Sequence, residues 1–134
     1  MNTDTGHDEC VTIFVEQVFP SMVNNYGTLF GGFALQWMDK AAWFVSTRYA
    51  RQMMVTVASE EIIFKEPVPQ GSMVELRGEI AKVGRTSITV QVEMYCEESL
   101  TGKRTLATTG RFVMVAIDDH GKPQKITPPG ARAT

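Results

Sequence analysis

The spacing of hydrophobic and polar residues changes several times along the chain. Val11–Val18 is rich in β-branched and aromatic residues and predicts a strand that ends at Pro20. From about Gly31 to Arg51 the apolar residues follow helical spacing, and through Phe44 they surround the predicted helix almost completely. A helix of that kind is expected to be buried in the core rather than to lie on a surface.

After the helix the period changes to two, which predicts four strands joined by short turns. The alternation covers Met53–Phe64, Val74–Ile80, Ile88–Cys96 and Arg104–Ile117, and we expect a bulge in the first of these strands, before Ile62. Short connections favour antiparallel pairing. One helix covers only one face of such a sheet, and the last strand ends apolar on both faces. We therefore expect a second copy of the chain to cover the remainder, as a homodimer with an isologous contact.

Composition places this pattern in one soluble domain. The chain has 134 residues, of which 43% are apolar and 21% charged, and its net charge of −2 argues against nucleic acid as a partner. No apolar run is long enough to span a membrane, no signal peptide is evident, and the two cysteines form no disulfide framework. We expect a cytoplasmic protein with a flexible N-terminus at residues 1–10, a single domain at 11–118 and a flexible tail at 119–134.

Asp39 is the first candidate for chemistry because it is a carboxylate on a nearly all-apolar helix. Burying an unpaired carboxylate is costly, so something must compensate it. One hypothesis is a general base whose proton affinity is raised by burial. The alternative is a structural carboxylate that bonds to nearby backbone or points to solvent beside Lys40. The residues alone leave both open.

The loop before the helix supplies the next candidates. Asn24 has the right side chain to position a carbonyl or a water, although asparagine also simply suits loops. Gly31 and Gly32 open the helix, where unpaired N–H groups and the helix dipole favour a developing negative charge. They predict either an oxyanion hole or only a flexible turn.

A possible phosphate site comes from Arg85, Thr86 and Ser87 in a predicted tight turn, and Lys65 is a further candidate. The alternative for all four is an ordinary solvated connection. Both histidines, His7 and His120, lie in the flanking segments, which argues against a catalytic triad. The sequence also contains no metal-ligand spacing, dinucleotide fingerprint or phosphate loop, so we expect no metal.

The pattern Asn24-x-x-Gly27-x-x-Phe30-Gly31-Gly32, with Asp39 seven residues beyond Gly32, resembles the hotdog-fold acyl-CoA thioesterases. It is most similar to the bacterial short-chain acyl-CoA hydrolases, which in turn resemble the brain-type acyl-CoA hydrolases of vertebrates. The resemblance covers about residues 11–123 and includes further segments, namely Val55–Val57, Phe64–Val68, Gly71–Val74, Gly84–Ile88 and Phe112–Asp118.

The resemblance implies an α+β hotdog fold, in which a long central helix is wrapped by a curved antiparallel sheet of about five strands. It implies a homodimer whose sheets join edge to edge, further assembly to a tetramer or hexamer, and active sites built from both subunits. The implied activity is hydrolysis of an acyl-CoA thioester to a free acid and CoA in fatty acid metabolism, with CoA as part of the substrate and no cofactor.

Carried over by residue, the resemblance makes Asp39 the catalytic carboxylate, as general base or as nucleophile. Asn24 would orient the water or the thioester, and a backbone N–H near Gly31 or Gly32 would polarise the carbonyl oxygen. Binding of CoA would fall to the polar residues Arg85, Thr86, Ser87 and Lys65. Three bulky residues of the helix would narrow the acyl pocket, namely Trp37, Trp43 and Phe44.

Two other functions compete with hydrolysis. A hotdog hydratase or dehydratase normally uses a histidine near the helix, and no histidine lies between residues 8 and 119. A non-catalytic module that binds or senses acyl-CoA normally carries a DNA-binding domain, for which this non-basic sequence offers no segment. Hydrolysis is therefore the function that the sequence favours.

Overall fold

The central helix forms where its apolar spacing predicts it. In a computed structural model that describes residues 10–129, α1 spans Gly31–Ala50. Arg51 takes the left-handed conformation, with φ of 52°, and its N–H bonds to the Thr47 carbonyl at 2.7 Å, which closes the last turn. At the other end the N-cap residue Phe30 offers no side-chain cap, so the first N–H groups of the helix remain available.

Five antiparallel strands form one sheet against this helix. They are β1 (Val11–Gln17), β2 (Met53–Phe64), β3 (Met73–Val83), β4 (Ser87–Glu97) and β5 (Arg104–Ile117), and one turn of 3-10 helix (Pro20–Met22) follows β1. Their order across the sheet is β1-β3-β4-β5-β2. The predicted α+β fold with one long helix and about five antiparallel strands is confirmed.

The core lies between α1 and the inner face of the sheet. Met38, Ala41 and Val45 of the helix are fully buried there, against side chains of the central strands such as Leu76 and Val90. Burying each large apolar side chain contributes about 1.5–3 kcal/mol. The backbone of α1 packs tightly on β3 at Gly78, where an added Cβ would lie 3.0 Å from the Ala41 carbonyl oxygen.

The expectation that α1 is buried all round is wrong for the single chain. Its outer side leaves Leu35 37% exposed and Trp43 43% exposed, because one sheet covers only one side of a helix. These two residues lie one turn before and one turn after Asp39 on the same side of the helix. An apolar strip therefore flanks the candidate carboxylate.

The edge strand β2 is irregular. Its register against β5 shifts between Thr56 and Ala58 and again between Glu60 and Ile63, and Glu61 has a φ of 53°. The second shift is the bulge expected before Ile62. Within the described chain, β2 pairs only with β5, so its other edge presents open backbone groups.

The segment after β5, predicted to be a flexible tail from residue 119, makes several contacts with the domain. The side chain of Gln52 donates to the Lys125 carbonyl and accepts from the Thr127 N–H, both at 2.9 Å. Ile126 is only 6% exposed and its N–H bonds to the Arg85 carbonyl at 2.8 Å. One buried apolar side chain and one glutamine therefore hold part of this segment against the fold, and its flexibility stays a prediction. Residues 1–9 and 130–134, also predicted to be flexible, lie outside the described residues.

Candidate active site

The carboxylate of Asp39 is held by a hydroxyl that the sequence did not single out. Asp39 lies half-buried on the side of α1 next to β2, and Thr56 of that strand donates a hydrogen bond to its Oδ1 at 2.6 Å. Its sequence neighbour Lys40 instead pairs with Glu16 at 3.3 Å. Among residues 10–129, Oδ2 of Asp39 accepts no hydrogen bond, so a carboxylate in fixed orientation has one oxygen available.

Asn24 is fixed in its loop by its own side-chain oxygen. Oδ1 accepts hydrogen bonds from the Tyr26 N–H at 2.9 Å, from the Thr28 N–H at 3.1 Å and from the Thr28 hydroxyl at 3.2 Å. The Gly27 carbonyl, in turn, accepts from the N–H of Gln70 at 3.0 Å, which docks the loop on the segment after β2. With Oδ1 occupied in this way, the NH₂ group of Asn24 remains to donate to another molecule.

The start of α1 presents the two glycines to solvent. Gly31 and Gly32 are exposed, and within the described chain neither N–H has a backbone acceptor. An added Cβ on Gly31 would meet the ring of Phe64 at 3.5 Å, whereas one on Gly32 would meet nothing within 4 Å. Two N–H groups at the positive end of a 20-residue helix can therefore hold a carbonyl oxygen as negative charge develops on it.

A cavity of about 380 Å³ lies beside these glycines. This volume falls in the range of small-molecule sites. Its wall comes from the loop and the start of the helix on one side and from three strands on the other, with Leu29, Gly31, Ala34, Phe64, Met94 and Thr108 among the lining residues. None of the bulky residues expected to narrow an acyl pocket lines it. Trp37 is buried in the core, Trp43 is exposed and the ring of Phe44 packs on Phe14.

The single chain does not bring all of these groups together. Asp39 lies eight residues beyond Gly31, which is about 12 Å along a helix and too far for one reacting carbonyl to contact both. The two predicted parts of the CoA site are further apart. Lys65 follows β2 beside the cavity, whereas Ser87 opens β4 opposite Val115, near the start of β2. About ten residues of strand separate them, on the order of 30 Å.

The predicted phosphate turn is well anchored. The Gly84 N–H bonds to the Ser87 carbonyl at 2.7 Å, and the carbonyls of Arg85 and Thr86 accept from Ile126 and Ala116. Arg85 itself is exposed, so its guanidinium is accessible to an anion. The structure places these residues at one end of the sheet but does not by itself assign them a ligand.

Other parts of the described chain offer no competing centre. Within residues 10–129 there is no group of three His, Cys, Asp or Glu side chains that could hold a metal ion. His120 sits in the turn after β5, where its N–H bonds to Asp118 at 2.8 Å, and His7 lies outside the described residues. No helix of the described chain is long and apolar enough to cross a membrane.

A charged cluster occupies the opposite face of the sheet. Arg104 pairs with Glu75 at 2.8 Å and lies 4.7 Å from the ring of Tyr95. The hydrogen bond to Glu75 raises the pKa of Arg104. Burial, and then the hydrogen bond that its hydroxyl donates to Glu93, raises the pKa of Tyr95. Because this cluster faces away from α1, it takes no part in the candidate site.

Comparison with known proteins places the chain in one family. The family model described as "Thioesterase superfamily" matches residues 26–103. The chain is 35% identical over 115 residues to the uncharacterized acyl-CoA thioester hydrolase YkhA of Bacillus subtilis. The aligned region covers 86% of this chain and 67% of the relative. It is also similar to an apo-hexameric acyl-CoA thioesterase, with a TM-score of 0.85, 36% identity, and coverage of 88% of this chain and 76% of that one.

A second solved structure is an acyl-CoA hydrolase from Staphylococcus aureus in complex with butyryl coenzyme A, coenzyme A and coenzyme A disulfide. The TM-score is 0.84 at 27% identity, with coverage of 90% of this chain and 73% of that one. Variants of that enzyme have an aspartate, a threonine or an asparagine replaced by alanine. The asparagine precedes the aspartate by fifteen residues and the threonine follows it by seventeen, as Asn24 and Thr56 are placed around Asp39 here.

Thr56 is therefore the candidate site residue that sequence reasoning missed. It lies inside the predicted strand Met53–Phe64 and the resembling segment Val55–Val57, and a hydroxyl in such a strand gives no signal of its own. The fold, the family match and these likenesses agree with one another. The chain belongs to the thioesterase superfamily and has its hotdog fold.

Proposed function

We propose that this protein hydrolyses acyl-CoA thioesters at sites formed between two subunits of a homodimer. The observation that carries the proposal is the Asp39 carboxylate, oriented by Thr56 at 2.6 Å and lying beside the open edge of β2. The acyl-CoA thioester hydrolases and thioesterases to which the chain is similar support the choice of substrate. The CoA moiety belongs to the substrate, and the reaction needs no separate cofactor.

We infer the dimer from the distance between Asp39 and Gly31, which the single chain keeps apart. If two copies of β2 pair antiparallel about a two-fold axis, the start of one strand lies beside the end of the other. Asp39 and Thr56 of one subunit then approach the cavity, Gly31 and Asn24 of the partner. The same rotation covers the exposed strip around Trp43 and pairs the open edge of β2.

This arrangement also unites the proposed CoA-binding residues. Arg85, Thr86 and Ser87 lie at the end of the sheet where β2 starts, and the rotation brings the partner's Lys65 to that end. Cations and hydroxyls from two subunits would then contact the phosphates of one CoA. Three such dimers would give a hexamer, the state named for one similar thioesterase.

In the proposed reaction the thioester oxygen accepts hydrogen bonds from the N–H groups of Gly31 and Gly32, which stabilise the negative charge of the tetrahedral intermediate. Asn24 donates from its NH₂ group to orient the water or the thioester. Asp39 takes a proton from the water as the water oxygen attacks the carbonyl carbon. The C–S bond then breaks, and the CoA sulfur leaves and takes up the proton. A trapped acyl-enzyme would instead assign Asp39 as a nucleophile.

The substitution Asp39→Asn tests the chemistry. It keeps the side-chain shape but removes the base, so we expect turnover to fall by about 10²–10⁴-fold while acyl-CoA still binds. Thiol release would be measured over a panel of aliphatic and aromatic acyl-CoAs, with Asp119→Asn at an exposed turn as the matched control. Normal hydrolysis of the whole panel by Asp39→Asn would sink the proposal, and tight binding by the unsubstituted protein without turnover would favour an acyl-CoA-binding module.

Mixing two inactive variants tests whether the site is shared. In a mixed dimer of Asp39→Asn and Asn24→Ala subunits, one of the two sites keeps both native residues. Random reassembly should therefore restore about a quarter of the native activity, since half of the dimers are mixed and each has one complete site. No recovery after confirmed subunit exchange would mean that Asp39 and Asn24 act within one chain.

A further inference from the structure

The cavity beside Gly31 has one polar side chain deep in an otherwise apolar inner wall. Thr108 is 1% exposed and lines the cavity together with Leu29, Ala34 and Met94. Among residues 10–129 its hydroxyl makes no hydrogen bond, and only the hydroxyl of Thr47 is both unpaired and sealed from solvent, so the Thr108 oxygen is open to the cavity. By contrast, the buried hydroxyl of Thr12 accepts a hydrogen bond from Arg48 at 3.4 Å. A hydroxyl that faces a cavity without a protein partner pairs with water or with a polar group of a ligand.

A β-bulge directly precedes this side chain in β5. Tyr95 pairs with Leu106 and Met94 pairs with Thr108, so Ala107 is an extra residue in β5. As a result, both Ala107 and Thr108 are buried, at 0% and 1% exposure, although consecutive residues of a regular strand face opposite ways. The Ala107 carbonyl accepts from the N–H groups of Lys65 and Glu66, which ties the bulge to the cavity rim. Bulges commonly re-aim a side chain next to a functional site.

Valine has nearly the same shape as threonine and would complete an apolar wall without leaving a hydroxyl unpaired. A cavity meant only for a plain alkyl chain gains nothing from Thr108. A hydroxyl at this position can donate to an oxo group, or donate to and accept from a hydroxyl group, on a chain that enters from Gly31.

We propose that Thr108 is a specificity-determining residue that selects acyl groups carrying an oxygen substituent, that is, hydroxyacyl or oxoacyl chains. The inference rests on the proposed function, because it requires the thioester oxygen at Gly31 and the acyl chain in the cavity. With the carbonyl held at the helix start, the chain extends between Ala34 and Met94 towards the Thr108 hydroxyl. That hydroxyl pairs with the substituent and leaves the cleavage step to Asp39.

Binding of uncleavable analogues tests this selection separately from hydrolysis. Calorimetry would compare CoA thioethers that carry butyl, 3-hydroxybutyl, 4-hydroxybutyl or 3-oxobutyl chains. We expect the native protein to bind at least one oxygen-bearing chain about tenfold more tightly than butyl, as one satisfied hydrogen bond allows. Thr108→Val should abolish that ratio, and Thr108→Ser should keep it. The matched control is Thr109→Val, one residue along on the opposite face of β5, and it should also keep the ratio.

Hydrolysis of the corresponding thioesters by the same proteins separates the two proposals. Equal ratios in the native protein and in Thr108→Val overturn the role of Thr108, as does failure to bind any analogue. Hydrolysis of butyryl-CoA in that case still supports the proposed function. A ratio that depends on Thr108 without hydrolysis of any thioester confirms the selection and overturns the proposed catalysis instead.

Discussion

The hydrogen bond between Thr56 and Asp39 makes a quantitative prediction about catalysis. Thr56→Val removes the hydroxyl but keeps the branched shape that suits a strand. A hydrogen bond to a charged group contributes about 1.5–3 kcal/mol. Thr56 is exposed in the single chain, so the lower end applies. If the bond holds Asp39 in its reactive orientation, kcat should fall about tenfold.

The assay must distinguish orientation of Asp39 from damage to the fold. Steady-state hydrolysis of one acyl-CoA would give kcat and KM for the native protein, Thr56→Val and Thr56→Ser. We expect KM to stay unchanged, because Thr56 contacts the carboxylate and not the proposed CoA-binding residues. Thr56→Ser retains the donor and should recover most of the activity. The melting temperature should change little, since substitutions at exposed positions usually alter stability by less than about 0.5 kcal/mol.

Two results would refute this reasoning. An unchanged kcat in Thr56→Val would mean that Asp39 holds its orientation without the 2.6 Å hydrogen bond. Equal losses in the valine and serine variants would mean that the methyl group or the backbone, and not the hydroxyl, is what the site requires.

Three further substitutions test the oxyanion, packing and CoA assignments. Gly31→Ala should lower kcat, because its methyl group would enter the cavity mouth beside the proposed oxyanion position. Gly32→Ala should stay active, because its methyl group would enter open space. The rate of thiol release measures both effects. Gly78→Ala should destabilise the fold by about 1–3 kcal/mol, since its Cβ would lie 3.0 Å from the Ala41 carbonyl oxygen in the backbone of α1, and thermal unfolding would show a lower midpoint. Arg85→Ala should raise KM for acyl-CoA about two- to fivefold without changing kcat. Added salt should diminish this difference in KM, because it screens the charge of Arg85. A changed kcat would contradict a role in binding alone.

The secondary structure could be predicted because it depends on local periodicity. The bounds of β2, Met53–Phe64, and of β5, Arg104–Ile117, agree with the alternation in the sequence, and α1 ends within one residue of the prediction. Strand order was not predicted, because short connections indicate antiparallel pairing but do not say that β2 joins β5. The contact between Thr56 and Asp39 depends on that order, and this is why Thr56 was missed.

Burial was harder to predict because it depends on what lies outside the chain. The pattern around Trp43 suggested a helix surrounded by core, yet its outer side is exposed in the single chain. At Thr108, alternation back from Phe112 indicates the inner face of the sheet, but it could not show that a cavity lies there. Candidate chemistry was easier to find, since Asp39 and the glycines are unusual residue types for their positions.

The order of strands in the sheet also determines when, during synthesis, the contact between Thr56 and Asp39 can form. Within the described chain, the strand that carries Thr56 pairs only with β5, which is the last strand to be made. Until β5 leaves the ribosome, β2 has no neighbour in the sheet, and Thr56 has no fixed position from which to reach Asp39. A nascent chain can form its helix early, but the carboxylate proposed to be catalytic becomes oriented only when the final strand closes the fold.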